Sequence, residues 1–125
     1  MMQRVLVIDD EKMVRDLIAQ ALTRLDFSVD TADNALNGMA QYDRCIYDLV
    51  ITDVRMPGVD GHTVANHIRH SNRDATPVIG VSGTPALLKG GVFDDVLYKP
   101  FRLQALIEKV TILTRTRVAD HADVA

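Results

Sequence analysis

The chain has 125 residues, enough for one domain with a single core, and its 47% hydrophobic and 25% charged content is that of an ordinary globular protein. A formal net charge of −3 gives no global basic field of the kind that would attract nucleic acid or an anionic membrane. Cys45 is the only cysteine, so an intrachain disulfide is excluded and a reducing, cytoplasmic setting is expected; no apolar run approaches the ~20 residues of a membrane span, and no signal peptide is read at the N-terminus.

Residues 5–8, Val5-Leu6-Val7-Ile8, are apolar at every position, as in a central parallel strand covered on both faces. Asp9 and Asp10 follow directly. Met13, Val14, Leu17, Ile18, Ala21, Leu22 and Leu25 then recur at helical spacing and predict an amphipathic helix. Residues 27–31 form a weaker strand, with Ser28 and Asp30 giving it the polarity of an edge. Ala35, Leu36, Met39 and Ala40 predict a short second helix capped by Asp33 or Asn34, and Cys45 just beyond reads as a small packing residue.

A third strand over residues 48–52 ends at Asp53, and Met56-Pro57-Gly58-Val59-Asp60-Gly61 makes a loop dense in turn residues. The next helix runs from about 62 to 70 and buries Val64, Ala65 and Ile68. Pro77 opens a fourth strand that stops at Ser82-Gly83. Residues 85–89 have room for little more than one helical turn before Gly90-Gly91. A fifth strand near 95–98 stops at Lys99-Pro100, and a last helix begins near Arg102 and buries Leu103, Leu106, Ile107, Val110 and Leu113. Residues 118–125 lack periodicity and are expected to fray as a short C-terminal tail, leaving 1–117 as the domain. Strands alternating with helices imply right-handed crossovers, hence an α/β fold with a doubly wound five-stranded parallel sheet.

Four polar sites therefore fall where four apolar runs stop, and in parallel strands those ends share one edge, where open α/β sheets bind ligands. Three carboxylates (Asp9, Asp10, Asp53), the Ser82 hydroxyl and the Lys99 ammonium meet there, a set suited to Mg²⁺ and a phosphoryl group. Alone, Asp10 reads as a helix cap, Lys99 as a solvated charge and Ser82 as a turn residue; the weight lies in their common placement. An Asp53 carboxylate needs no general base to attack phosphorus. Lys99 and Mg²⁺ would offset the repulsion it meets, Ser82 would hold a phosphoryl oxygen, and Gly83 would leave room beside it.

Asp9-Asp10, Asp53 with the downstream Met56-Pro57-Gly58-Val59-Asp60-Gly61, Ser82-Gly83 and Lys99-Pro100-Phe101 resemble the receiver domain of two-component response regulators, over essentially the whole chain. The resemblance implies a flavodoxin-like fold with strand order 2-1-3-4-5. It implies that Asp53 accepts a phosphoryl group from a histidine kinase or histidine phosphotransfer protein, with Mg²⁺ at Asp9, Asp10, Asp53 and the Arg55 carbonyl, and Ser82 and Lys99 sensing the phosphate. The domain would assist its own phosphorylation and dephosphorylation without being a turnover enzyme. With no room for an output module after Leu113, a stand-alone signalling domain is expected, a monomer or weak homodimer that acts on a downstream protein target and not on nucleic acid or membrane.

Two departures stand out. Receivers usually carry an aromatic residue three positions before the lysine of Lys99-Pro100; here it is Val96, with Tyr98 two residues on and on the same sheet face. The stretch from 82 to 99 is also short where a fourth helix belongs, which predicts a nonstandard signalling face. The rival readings are weaker. A haloacid-dehalogenase-type phosphatase would need an acid at the position of Arg55, and a mononucleotide-binding domain a glycine-rich loop after the first strand. A receiver-like binding module independent of phosphorylation is the alternative. Arg55 and Thr84 flank the site and are expected to tune hydrolysis. His62, His67 and His70 read as a solvated helix face, Arg102, Lys109, Arg115 and Arg117 as cations suited to a helix C-terminus, and Asp94-Asp95 as a turn cap.

Overall fold

The computed structural model describes residues 2–124, with side chains described through residue 115. Its order is β1 (Arg4–Ile8), α1 (Lys12–Arg24), β2 (Ser28–Ala32), α2 (Ala35–Arg44), β3 (Leu49–Asp53), α3 (Gly61–Arg69), β4 (Val78–Ser82), a single 3₁₀ turn (Pro85–Leu88), β5 (Asp95–Tyr98) and α4 (Leu103–Val124). All strand pairings are parallel, in the order β2-β1-β3-β4-β5. The all-apolar runs become the three inner strands because each must be covered twice, once by the helices on either face.

Side-chain alternation divides the interior into two layers. Leu6, Ile8, Val50 and Val78 face α2 and α3, with Val64, Ala65 and Ile68 packed on them. Val5, Val7, Leu49, Ile51, Ile79, Val81 and Leu97 face the other way, against Ile18 and Leu22 of α1 and Leu106 and Val110 of α4. Asn34 is the cap of α2 and Asp60 that of α3, each accepting a backbone N–H three residues on.

Two helices differ from their predicted faces. In α1, Ile18, Ala21 and Leu22 carry the burial with Val14 packed beside them, while Met13 and Leu17 lie on the flank turned from the sheet and Leu25 lies past the last turn, all three exposed. In α2 the buried residues are Ala35, Gly38 and Tyr42; Gly38 brings the helix so close to Ile8 that the Ala35–Gly38–Tyr42 side turns inward and leaves Leu36 and Ala40 outside. The Tyr42 hydroxyl is paired with Thr76 Oγ1 and the Arg73 carbonyl, both at 3.0 Å. The backbone of α4 continues to Val124; residues 103–124 contain no glycine or proline to interrupt its hydrogen bonding.

Between β4 and β5 only the one turn at Pro85–Leu88 forms, as the spacing predicts. Gly90 and Gly91 follow at φ +113° and +73°, a conformation glycine takes without penalty. Val96 is partly buried against the α2/α3 layer, whereas Tyr98, on the same face of β5, is 52% exposed. Asp94 accepts the Val78 N–H at 2.7 Å and pairs with Arg69, so it clamps the start of β5 rather than capping a turn. Asp95 pairs with Lys109 of α4 at 3.0 Å. Cys45 is half-buried beside the α2/α3 layer.

Candidate functional site

The parallel register places the polar residues. Ile8 pairs with Thr52, Asp53 with Val81, and Ser82 with Tyr98. Asp9, Asp53, Ser82 and Lys99 therefore leave the sheet at one edge. Asp9, Asp53 and Ser82 are almost fully buried, at 2%, 4% and 2% exposure, while Asp10 is exposed. Carboxylate oxygens of Asp9, Asp10 and Asp53 lie within 4.8 Å of one another.

Lys99 reaches into this cluster from β5. Its Nζ stands 3.2 Å from Asp53 Oδ2, 3.4 Å from Asp9 Oδ2 and 3.4 Å from Glu11 Oε1. The Lys99–Pro100 peptide is cis. Ser82 Oγ accepts the Thr84 N–H at 3.1 Å, fixing the turn after β4. Asp9 Oδ1 accepts the Glu11 N–H at 2.9 Å, and the Asp53 carboxylate receives the Arg55 N–H. A Cβ at Gly83 would make only ordinary contacts, at 3.8 Å, with Lys99, so packing within the chain does not require glycine there.

Charge in this site is out of balance. Burial pushes the Asp9 carboxyl up to about 6, against the pull of the Glu11 N–H and the Lys99 ammonium. Burial also raises Asp53, with Lys99 pulling the other way and Asp10 adding repulsion. For Lys99 burial is the largest influence and acts downward, yet Asp9, Asp53 and Glu11 together hold the ammonium above its ordinary range. One ammonium among four carboxylates leaves excess negative charge in a half-dry pocket. That excess, offered by hard oxygen donors, fits a small divalent cation.

Asp9, Asp10, Asp53, Ser82 and Lys99 thus converge as the sequence implies, with Arg55 adjacent to Asp53. Sequence reasoning missed three contributors. Glu11 shares Lys99; Arg15 Nη1 donates to the Asp9 carbonyl at 2.8 Å; and Gly61 sits where a Cβ would fall 2.3 Å from the Asp53 carbonyl oxygen. The signal for Gly61 lay in the loop motif, but nothing in the sequence sets Glu11 or Arg15 apart from solvated residues of a first helical turn. The histidines are not a uniform solvated face: His67 pairs with Asp43 at 2.7 Å and His70 is bonded to the Asn66 carbonyl at 2.7 Å. His62 points inward, to the Leu87 carbonyl.

The family model described as response regulator receiver domain matches residues 5–111. Among curated proteins, the transcriptional regulatory protein TcrA of Mycobacterium tuberculosis is 37% identical over 118 residues, covering 90% of this chain and 46% of its own length. ResD of Bacillus subtilis, likewise a transcriptional regulatory protein, is 34% identical over 117 residues, covering 90% and 48%. The chain spans about half the length of these relatives. Among solved structures, the response regulator TrrA of Thermotoga maritima in complex with Mg²⁺ and BeF is 34% identical, with TM-score 0.82 over 90% of this chain and 99% of that one. TrrA has also been solved in complex with the histidine kinase ThkA, where it matches at TM-score 0.79 over 90% and 98%. Among the described residues, no helix is long and apolar enough to cross a membrane.

Proposed function

The chain belongs to the response regulator receiver domain family, and from that premise we propose that it is a phosphoacceptor switch in which Asp53 takes a phosphoryl group from a partner phosphohistidine. The observation that carries this reading is the Asp53 carboxylate set 3.2 Å from Lys99 Nζ at the edge where Asp9, Asp10 and Ser82 converge. An Asp53 oxygen attacks phosphorus in line; the new O–P bond forms as the P–N bond to the donor imidazole breaks, and the imidazole leaves with the bonding pair. The Ser82 hydroxyl donates to one phosphoryl oxygen and Lys99 exchanges its Asp53 contact for another. Asp9, Asp10, Asp53 and the Arg55 carbonyl would hold Mg²⁺, which when bound neutralises charge between the carboxylate and the incoming phosphoryl oxygens. Hydrolysis of the acyl phosphate returns Asp53, with Arg55 and Thr84 controlling water at its rim. The domain acts on itself and turns over no foreign substrate.

The ThkA complex of TrrA supports a histidine kinase or histidine phosphotransfer protein as the donor. The output is a change in protein–protein binding, produced by shifting a two-state equilibrium. Intact mass after incubation with acetyl phosphate, with and without Mg²⁺, tests the reading, with Asp53→Asn alongside. One added phosphoryl group is expected in the unaltered chain with Mg²⁺ only, and none in the variant. No label from acetyl phosphate or from a phosphorylated histidine donor overturns the reading in favour of a binding module independent of phosphate.

A further inference from the structure

Phosphotransfer at Asp53 gives no task to His62, whose surroundings are unusually specific. It stands in the first turn of α3, directly after the Gly61 that abuts the Asp53 carbonyl. Its Nε2–H donates to the Leu87 carbonyl at 2.5 Å, and its ring lies 5.1 Å from that of Phe93, tilted by 48°. One imidazole therefore ties the segment after Asp53 to the segment after Ser82.

The two ends of the 82–94 connection differ in how firmly they are held. Phe93 packs flat on β4: a Cβ at Gly80 would fall 2.8 Å from its ring. Arg69 donates to the Val92 carbonyl at 3.3 Å and to the Asp94 carboxylate, and Asp94 accepts the Val78 N–H. Phe93 is thus a fixed platform. The Pro85–Leu88 turn, by contrast, runs between Ser82 and the left-handed Gly90-Gly91 pair. It is linked to Ser82 in two steps, Thr84 N–H to Ser82 Oγ at 3.1 Å and Leu87 N–H to the Thr84 carbonyl at 3.0 Å. Any displacement of Ser82 is passed to Leu87, whose carbonyl His62 holds.

We propose that His62, braced on Phe93, is the switch latch of this receiver: it holds Pro85–Leu88 in the resting position and gives up the Leu87 carbonyl when Ser82 is drawn toward a phosphoryl group on Asp53. The inference rests on the phosphoacceptor reading above. Val96 has no ring to swing, and Tyr98 is already half exposed in the resting chain. Phe93 lies over Gly80 of β4 with His62 against its ring, so release of the Leu87 carbonyl re-forms the surface over residues 84–91.

The test is an amide NMR titration of the full chain with beryllium fluoride as a tetrahedral phosphoryl mimic, in Mg²⁺. In the unaltered chain the amides of Asp53, Ser82 and residues 84–91 are expected to move, while those of 92–94 stay. His62→Phe keeps a ring on Phe93 and removes the donor; its 84–91 amides are expected partway to the activated position before any mimic is added. Its half-saturating mimic concentration is expected roughly three- to tenfold lower, one neutral hydrogen bond no longer opposing activation. His62→Gln, which can still donate, is expected near the unaltered value, a rescue that a purely packing role would not give. Movement at Asp53 and Ser82 with 84–91 unmoved overturns the latch alone, as does unchanged mimic binding in His62→Phe. No response at Asp53 or Ser82 overturns the phosphoacceptor reading and the latch with it.

Discussion

Replacing Asp9 by Asn should stabilise the metal-free protein while disabling its site. Asp9 is 2% exposed, and its carboxyl titrates at about 6 where an unfolded chain would show 3.8. At pH 7 it is ionised in both states, so the gap of about two pH units, at about 1.4 kcal/mol each, opposes folding by about 3 kcal/mol. Lys99, at 3.4 Å, already reduces that penalty and keeps Asp53 and Glu11 as partners in the variant. Asn preserves an acceptor for the Glu11 N–H that Asp9 Oδ1 now receives at 2.9 Å. Allowing for relaxation and water entry, a net gain of about 1–3 kcal/mol is expected. Urea unfolding at pH 7 in EDTA, followed by circular dichroism, should show the midpoint rising by about 0.7–2 M for a slope of ~1.5 kcal/mol per M. Saturating Mg²⁺ should raise the unaltered chain by mass action and the variant much less, closing the gap. A variant no more stable than the unaltered chain in EDTA would refute the reasoning, since burial would then not penalise the Asp9 charge.

The same pair of proteins tests the pH dependence. Because the folded Asp9 pKa is raised, its contribution to metal-free stability is intact below pH about 4 and lost as pH rises through about 6. The stability difference between variant and unaltered chain should therefore be near zero at pH 4 and open by pH 7; a difference constant with pH contradicts it. Mg²⁺ affinity, measured by calorimetry, should weaken as pH falls below about 6, with proton uptake by the site on metal release; pH-independent binding would count against Asp9 as a ligand. Gly61→Ala places a methyl 2.3 Å from the Asp53 carbonyl oxygen and 2.9 Å from Val54 Cα, so about 1–3 kcal/mol of stability should be lost, and phosphorylation of Asp53 slowed, in parallel urea and intact-mass assays. Tyr42→Phe removes one partner of the buried Thr76 hydroxyl and of the Arg73 carbonyl, which keep each other at 2.8 Å, and should lower stability by about 0.5–1.5 kcal/mol. It should leave acetyl phosphate labelling unchanged; lost labelling would mean Tyr42 reaches the site.

The three inner strands and the convergent site were legible because a strand buried on both faces is apolar nearly throughout, so a carboxylate or hydroxyl marks its end. Asp9, Asp53 and Ser82 mark the ends of β1, β3 and β4, and Lys99 follows the edge strand β5. The short connection after Ser82 was equally plain from Gly90-Gly91. Helix faces were less so. The stripe of α1 is wider than the face it buries, and in α2 a glycine contact with Ile8, invisible to hydropathy, sets the rotation and sends Tyr42 inward. Polar helpers were hidden for a different reason. Glu11, Arg15 and His62 have the composition of any solvated helix start, and only Lys99 after β5, the Asp9 carbonyl and the Leu87 carbonyl give them their partners. The extent of α4 is not marked in the sequence, because a run without apolar periodicity but also without helix breakers leaves its backbone state open.

The central claim is that Asp53 carries the phosphoryl group. Its most direct test is borohydride reduction of the protein after acetyl phosphate and Mg²⁺, which converts an acyl phosphate to the corresponding alcohol, followed by peptide mass mapping. Homoserine at position 53 alone, absent when Mg²⁺ is withheld, is the expected result. Reduction at position 9 or 10, or a phosphoryl group that survives borohydride, would contradict the account.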